Sequence, residues 1–132
     1  MRRILIVDDD DLVLKHLSFM LERAGYRSLQ ADDGDSALAL ARSARPHLVL
    51  LDAVMPRLDG FATMGAFGAD PLLRSTPVIM MTSLRQRSDV LRAQSLGVCG
   101  YVVKPIDLDD LLSRIQRTVF QAPQDTDVTW FD

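Results

Sequence analysis

Five short apolar runs alternate with longer segments of helical periodicity along this chain. The runs are rich in β-branched residues and predict buried strands at residues 3–7, 26–31, 47–51, 77–82 and 100–103. Apolar residues spaced three and four apart predict helices at residues 12–24, 36–44, 60–69, 88–96 and 108–120. Because strands that alternate with helices form a parallel sheet with helices on both faces, the pattern predicts an α/β fold. A doubly wound five-stranded sheet of order 2-1-3-4-5 is one common arrangement of this kind.

The segment at residues 60–69 is the element that the sequence specifies least well. Its place in the alternation requires a helix, but Gly65 and Gly68 lie within it. Each glycine costs about 1 kcal/mol relative to alanine in a helix interior. We therefore expect a helix that its two glycines destabilise.

Size and composition fit one ordinary globular domain. The chain has 132 residues, of which 48% are hydrophobic and 25% charged, and the net charge is −3. No basic field points to direct nucleic-acid binding, and no apolar run approaches the roughly 20 residues of a membrane span. The single cysteine, Cys99, excludes an internal disulfide and suits a reducing cytoplasm. We expect a domain at residues 1–121 and a tail at residues 122–132, either a frayed terminus or, as we favour, a cut linker.

Polar side chains follow the predicted strands at the edge where ligands bind in doubly wound sheets. Asp8 and Asp9 follow the first strand, and Asp52 follows the third. In the proposed strand order these two strands are neighbours, so the three carboxylates converge. Two such charges about 4 Å apart repel by roughly 4 kcal/mol at an effective dielectric constant of 20. A cluster of this kind is stable only with a cation, and its oxygen-only ligands select Mg²⁺ or Mn²⁺ over zinc.

The fourth and fifth strands bring a hydroxyl and an ammonium group to the same edge. Thr82 ends the fourth strand, and Lys104 follows the fifth. A divalent ion, an ammonium and a hydroxyl around one carboxylate suit phosphoryl transfer, because they neutralise charge on the transferring group. Asp52 would then be the nucleophile that forms an aspartyl phosphate.

Four stretches, with their spacing, resemble the response-regulator receiver domain of two-component signalling, the fold of the bacterial chemotaxis regulator. They are ILIVDDD (4–10), LVLLDAVMPRLDGF (48–61), PVIMMTS (77–83) and GYVVKP (100–105). The resemblance covers residues 2 to about 121 and implies a flavodoxin-like (βα)5 three-layer sandwich. It also implies that Asp52 accepts a phosphoryl group from a sensor histidine kinase or a phosphotransfer protein.

The resemblance assigns the metal ligands residue by residue. Asp9 would bind Mg²⁺ directly and Asp8 through water, with Asp52 and the backbone carbonyl of Val54 as further ligands. Both Val54 and Leu84 lie at positions that tune dephosphorylation in this family. Because both are apolar and cannot hold an attacking water, we predict a slowly hydrolysing phosphoryl group.

The remaining roles also follow from the resemblance. Lys104 would contact the phosphoryl oxygens, together with Thr82 and the backbone N–H of Ser83, and the bond to Pro105 would be cis. Thr82 and Tyr101 would be the switch pair: the hydroxyl turns to the phosphoryl group, and the ring swings inward. This would change the face made by the fourth helix, fifth strand and fifth helix, which an output domain, a target protein or a second copy would read.

Simpler interpretations account for several of the remaining residues. Asp10 and Asp11 are favoured at a helix start, and Asp59 with Gly60 reads as a turn and helix cap. His16 and His47 are expected to be structural or exposed residues, and Cys99 a small core residue rather than a redox centre.

Three other functions could use a sheet of this kind. A phosphatase with an aspartate nucleophile needs a second carboxylate where Val54 stands. A dinucleotide or flavin binder holds phosphate groups after the first strand, and the four aspartates at that place would repel them. The remaining alternative is a receiver-like adaptor that never takes phosphate. The complete set of acids, hydroxyl and lysine argues against it.

Overall fold

A computed structural model describes residues 1–120 as five strands and five helices in strict alternation. The strands are β1 (Arg3–Val7), β2 (Arg27–Ala31), β3 (Leu48–Leu51), β4 (Val78–Thr82) and β5 (Gly100–Val103). The helices are α1 (Asp11–Arg23), α2 (Gly34–Ala44), α3 (Gly60–Ala69), α4 (Arg87–Ser95) and α5 (Leu108–Phe120). The expected tail at residues 122–132 lies outside the described residues.

All five strands are parallel, and their order in the sheet is β2-β1-β3-β4-β5. The predicted fold class and strand order are therefore confirmed. Val7 pairs with Leu51 and Thr82 pairs with Val103, and β3 pairs with β4 between them. The carboxyl ends of β1, β3, β4 and β5 therefore meet at one edge of the sheet.

Two apolar cores lie on the two faces of the sheet, because successive strand residues point in opposite directions. On one face, Leu5 and Val7 pack with buried residues of α2, α3 and α4. On the other face, Ile4 and Ile6 pack with buried residues of α1 and α5. Among residues 1–120, no helix is both long and apolar enough to cross a bilayer.

Helix α3 forms over the predicted residues in spite of its glycines. Phe61, Met64 and Phe67 supply a buried stripe at helical spacing, so tertiary packing outweighs the low helix propensity. Gly65 and Gly68 lie where an added Cβ would meet no atom within 4 Å.

Strands β1 and β5 and helix α5 also have the predicted bounds, whereas the remaining boundaries differ by at most two residues, and helix caps explain part of the difference. Helix α2 begins two residues earlier than predicted because the Asp33 side chain accepts the Ser36 backbone N–H at 2.8 Å. Strand β3 begins one residue later than predicted. His47, the residue before it, uses its ring Nδ1 to accept the backbone N–H of Arg3 at 3.0 Å.

Candidate functional site

Asp8 and Asp52 meet at the carboxyl ends of the neighbouring strands β1 and β3. Each follows the last residue of its strand, and the Asp52 backbone N–H donates to the Val7 carbonyl at 2.9 Å. The structure brings Asp9 to the same place: carboxylate oxygens of the three aspartates lie within 4.8 Å of one another. The acids that the sequence placed at this edge are thus one cluster.

Two of these three acids are shielded from water. Asp8 and Asp52 are buried, whereas Asp9 is exposed. Burial raises the pKa of Asp52 above its ordinary value, and the negative charge of Asp8 adds to the effect, while the ammonium of Lys104 opposes it. The cluster therefore favours a bound cation or a neutral carboxyl over free charge.

Lys104 reaches the cluster from the end of β5. Its Nζ donates to Oδ2 of Asp8 at 2.7 Å and lies 3.5 Å from Oδ2 of Asp52. Burial alone would lower the pKa of this ammonium, but the hydrogen bond to Asp8 and the two negative charges hold it above its ordinary value. The peptide bond from Lys104 to Pro105 is cis.

The donor set suits a hard divalent cation. Every clustered side chain offers carboxylate oxygen, and one ammonium faces three acids, which leaves an excess of negative charge at the edge of the sheet. The backbone N–H of Val54 donates to Oδ1 of Asp52 at 3.2 Å, so the loop after β3 folds back on the carboxylate. The Val54 side chain itself is about half exposed.

Thr82 and Tyr101 bind the same neighbour, Leu84. The buried hydroxyl of Thr82 accepts the Leu84 backbone N–H at 3.3 Å, and the Tyr101 hydroxyl donates to the Leu84 carbonyl at 2.8 Å. Both side chains are fully buried, so the ring of Tyr101 occupies an inward position in this structure. Burial, with the charges of Asp89 and Asp52, raises the pKa of Tyr101 to about 12.

Leu84 and Gly60 also position the site through backbone contacts that the sequence does not predict. Leu84 makes these contacts through its backbone N–H and carbonyl, so the pattern of side chains in the sequence could not predict them. Gly60 was expected only to start a helix, yet a Cβ on it would lie 2.1 Å from the Asp52 carbonyl oxygen. Its backbone N–H donates to the Ala53 carbonyl at 2.9 Å. The first turn of α3 therefore packs directly on the backbone that carries Asp52.

The other singled-out residues lie apart from the cluster or have local roles. Asp10 is the N-cap of α1 and Asp11 lies in its first turn, as expected. Ser83 is exposed. Cys99 is partly buried against the core, and burial raises the pKa of its thiol to about 11, which does not fit a reactive thiol.

Comparisons with known proteins agree with this geometry. The family model of the response regulator receiver domain matches residues 4–116. Protein PilH of Pseudomonas aeruginosa is 39% identical over 119 residues, which cover 90% of this chain and 98% of PilH. The DNA-binding dual master transcriptional regulator RpaA of Synechocystis is 38% identical over 94% of this chain, but the match covers only 53% of RpaA. The chain thus spans about half the length of some curated relatives and nearly all of another.

Solved structures give the same result. The chemotaxis protein CheY4 of Vibrio cholerae superposes with a TM-score of 0.85 at 32% identity, covering 89% of this chain and 98% of CheY4. The signal receiver domain of a signal transduction histidine kinase from Syntrophus aciditrophicus gives a TM-score of 0.86 at 31% identity and covers 98% of each chain. Receiver domains are signalling domains of two-component systems, and phosphorylation on an aspartate is characteristic of them. On the matched family model, the fold and the acids at the ends of β1 and β3, this chain belongs to the response regulator receiver domain family.

Proposed function

We propose that Asp52 accepts a phosphoryl group from a sensor histidine kinase or a phosphotransfer protein, in the cytoplasm. A carboxylate oxygen of Asp52 forms the bond to phosphorus as the bond from phosphorus to the donor's imidazole nitrogen breaks. The electron pair of the broken bond stays on that nitrogen, which is protonated from solvent. The observation that carries the proposal is the meeting of Asp52, two further acids and the Lys104 ammonium at one edge of the sheet.

Each residue of the cluster has a task in this step. Asp9 and Asp52 with the Val54 carbonyl would hold Mg²⁺ (or Mn²⁺) directly, and Asp8 would hold it through water. When bound, the ion supplies positive charge against the phosphoryl oxygens. Lys104, now shared between Asp8 and Asp52, would contact a phosphoryl oxygen, as would the backbone N–H of Ser83.

The signal would leave the site through Leu84. We infer that the Thr82 hydroxyl turns to the phosphoryl group and so releases the Leu84 N–H that it now accepts. The ring of Tyr101 already lies inward in this structure and binds the carbonyl of the same residue, so the released loop after β4 would stay attached to that ring. The face of α4, β5 and α5 would then change for an output domain, a target protein or a second copy of the chain.

The assignment is tested by incubating the protein with acetyl phosphate and Mg²⁺ and measuring its intact mass. We expect one added phosphoryl group on the natural sequence, none on Asp52→Asn, and one on the control Asp11→Asn. Asp11 is a suitable control because it lies in the first turn of α1 and outside the acid cluster. Equal modification of Asp52→Asn would refute the site, and an unmodified natural protein would favour the adaptor that takes no phosphate.

The lifetime of the phosphoprotein tests the two apolar neighbours of the site. Val54 is half exposed and Leu84 partly buried, and neither side chain can hydrogen-bond an attacking water. We expect slow hydrolysis after removal of the donor, and faster loss of the phosphoryl group in Val54→Asn, followed by intact mass over time. A half-life of only seconds for the natural protein would contradict this prediction.

A further inference from the structure

An apolar groove runs between α1 and α5, on the face of the sheet that those two helices cover. Near the candidate site it is a cavity of about 700 Å³ whose walls include Leu12, Phe19 and Pro105. It continues into a second cavity through the shared residues Phe19 and Leu108, and from there to Phe120 at the end of α5. We call this continuous surface the α1–α5 groove.

Large apolar side chains stand open to solvent along the groove. Leu12 is 76% exposed, Phe19 64% and Phe120 59%. A contiguous apolar surface of this kind, rimmed by polar residues, marks a place where another polypeptide or ligand binds.

We propose that the groove binds residues 121–132 of this same chain, with Trp130 and Phe131 as the apolar anchor. The position where the described chain ends supports this occupant, because Phe120 itself lines one end of the groove. The 13 residues of α5 extend about 20 Å at 1.5 Å per residue. The ten residues from Phe120 to Trp130 can span up to about 33 Å, which suffices to return along the whole groove.

Charge complementarity also favours this segment. The groove is lined by Arg2, Lys15 and Arg23, and none of the described residues that line it is acidic. Residues 121–132 contain the acids Asp125, Asp127 and Asp132 and no lysine or arginine. Apolar contacts and opposite charges therefore act together, at an effective concentration that a short tether keeps high.

Tryptophan fluorescence of the full chain tests the proposal, because Trp130 is its one tryptophan. We expect an acrylamide quenching constant about fivefold below that of free N-acetyltryptophanamide, the value for a segment docked in about four molecules of five. The variant Leu12→Ser with Phe19→Ser removes the apolar floor of the groove and should restore quenching to nearly the free value. Leu91→Ser on α4, where the leucine is 51% exposed, is the matched control and should leave the quenching unchanged.

Three outcomes would overturn the proposal. Quenching of Trp130 as strong as that of the free indole would show that the segment does not dock, which would leave the groove to another protein. Protection that increases with protein concentration would assign the groove to a second copy. Equal loss of protection in Leu91→Ser would place the segment on another face. Circular dichroism of each variant confirms that the fold is retained.

Discussion

Aspartate occurs in two opposite environments in this chain, at the ends of strands and at the starts of helices. Asp10, Asp33 and Asp59 each begin a helix, and their side chains accept backbone N–H groups at 2.8–2.9 Å. Asp8 and Asp52 follow buried strands and lie against each other and Asp9. The backbone N–H of Ser36 holds the pKa of Asp33 below its ordinary value, whereas burial raises that of Asp52.

This difference separates residues that stabilise the fold from residues that a ligand must stabilise. A helix-start carboxylate completes hydrogen bonds that the backbone would otherwise leave unmade. A strand-end carboxylate in the cluster loses water and gains like-charged neighbours, and Lys104 offsets only part of that cost. The chain has only one glutamate among its 18 acidic residues, Glu22, and aspartate is the shorter side chain that suits both settings.

The largest effect is expected at Gly60, where the two settings touch. A methyl group there would lie 2.1 Å from the Asp52 carbonyl oxygen and 2.6 Å from the Ala53 Cα, and both are backbone atoms that cannot rotate away. We expect Gly60→Ala to lower the free energy of unfolding by about 3 kcal/mol, measured by urea denaturation.

Gly65→Ala is the control for Gly60, since it lies in the same helix and its added Cβ meets no atom within 4 Å. There the substitution should raise the stability by about 0.5–1 kcal/mol through helix propensity. Equal effects at the two glycines would contradict the close packing of α3 on the backbone of Asp52.

The next effect is the stabilisation of the folded state by Mg²⁺. Among the aspartates, it should depend on those of the strand-end cluster and not on those at the helix starts. At a free concentration ten times its dissociation constant, a ligand that binds only the folded state adds about 1.4 kcal/mol. We expect this shift in thermal unfolding for the natural sequence and for Asp11→Asn. Asp9→Asn, an exposed position that should not disturb folding, is expected to lose most of it. An unchanged shift in Asp9→Asn would remove Asp9 from the ligand set.

The smallest effect is expected at a helix start. Asp59→Ala removes the acceptor of the Ala62 backbone N–H, a bond of 2.8 Å, and should cost about 1 kcal/mol of stability. Asp59→Asn keeps an oxygen in the same place and should cost little, as read from the same denaturation curves. Neither substitution should alter the stabilisation by Mg²⁺. A loss of that stabilisation would contradict the separation of helix-start aspartates from the metal ligands.

The sequence was sufficient for the alternation of elements and for the convergence of the acids. Strand and helix periods differ, and the ends of parallel strands meet at one edge of the sheet, so Asp8, Asp52 and Lys104 could be brought together without coordinates. It was not sufficient for contacts made by the backbone. The role of Leu84 and the close approach at Gly60 depend on the path that the backbone takes through the loops after β4 and β3, which residue types do not encode.

The central claim is that Asp52 alone carries the phosphoryl group, and chemical trapping at the modified residue tests it most directly. Borohydride reduces an aspartyl phosphate to homoserine, and peptide mapping by mass spectrometry then identifies the position. After treatment with acetyl phosphate and Mg²⁺, we predict homoserine at position 52 and unmodified aspartate at positions 8 and 9. Homoserine at position 8 or 9, with Asp52 unchanged, would contradict the account.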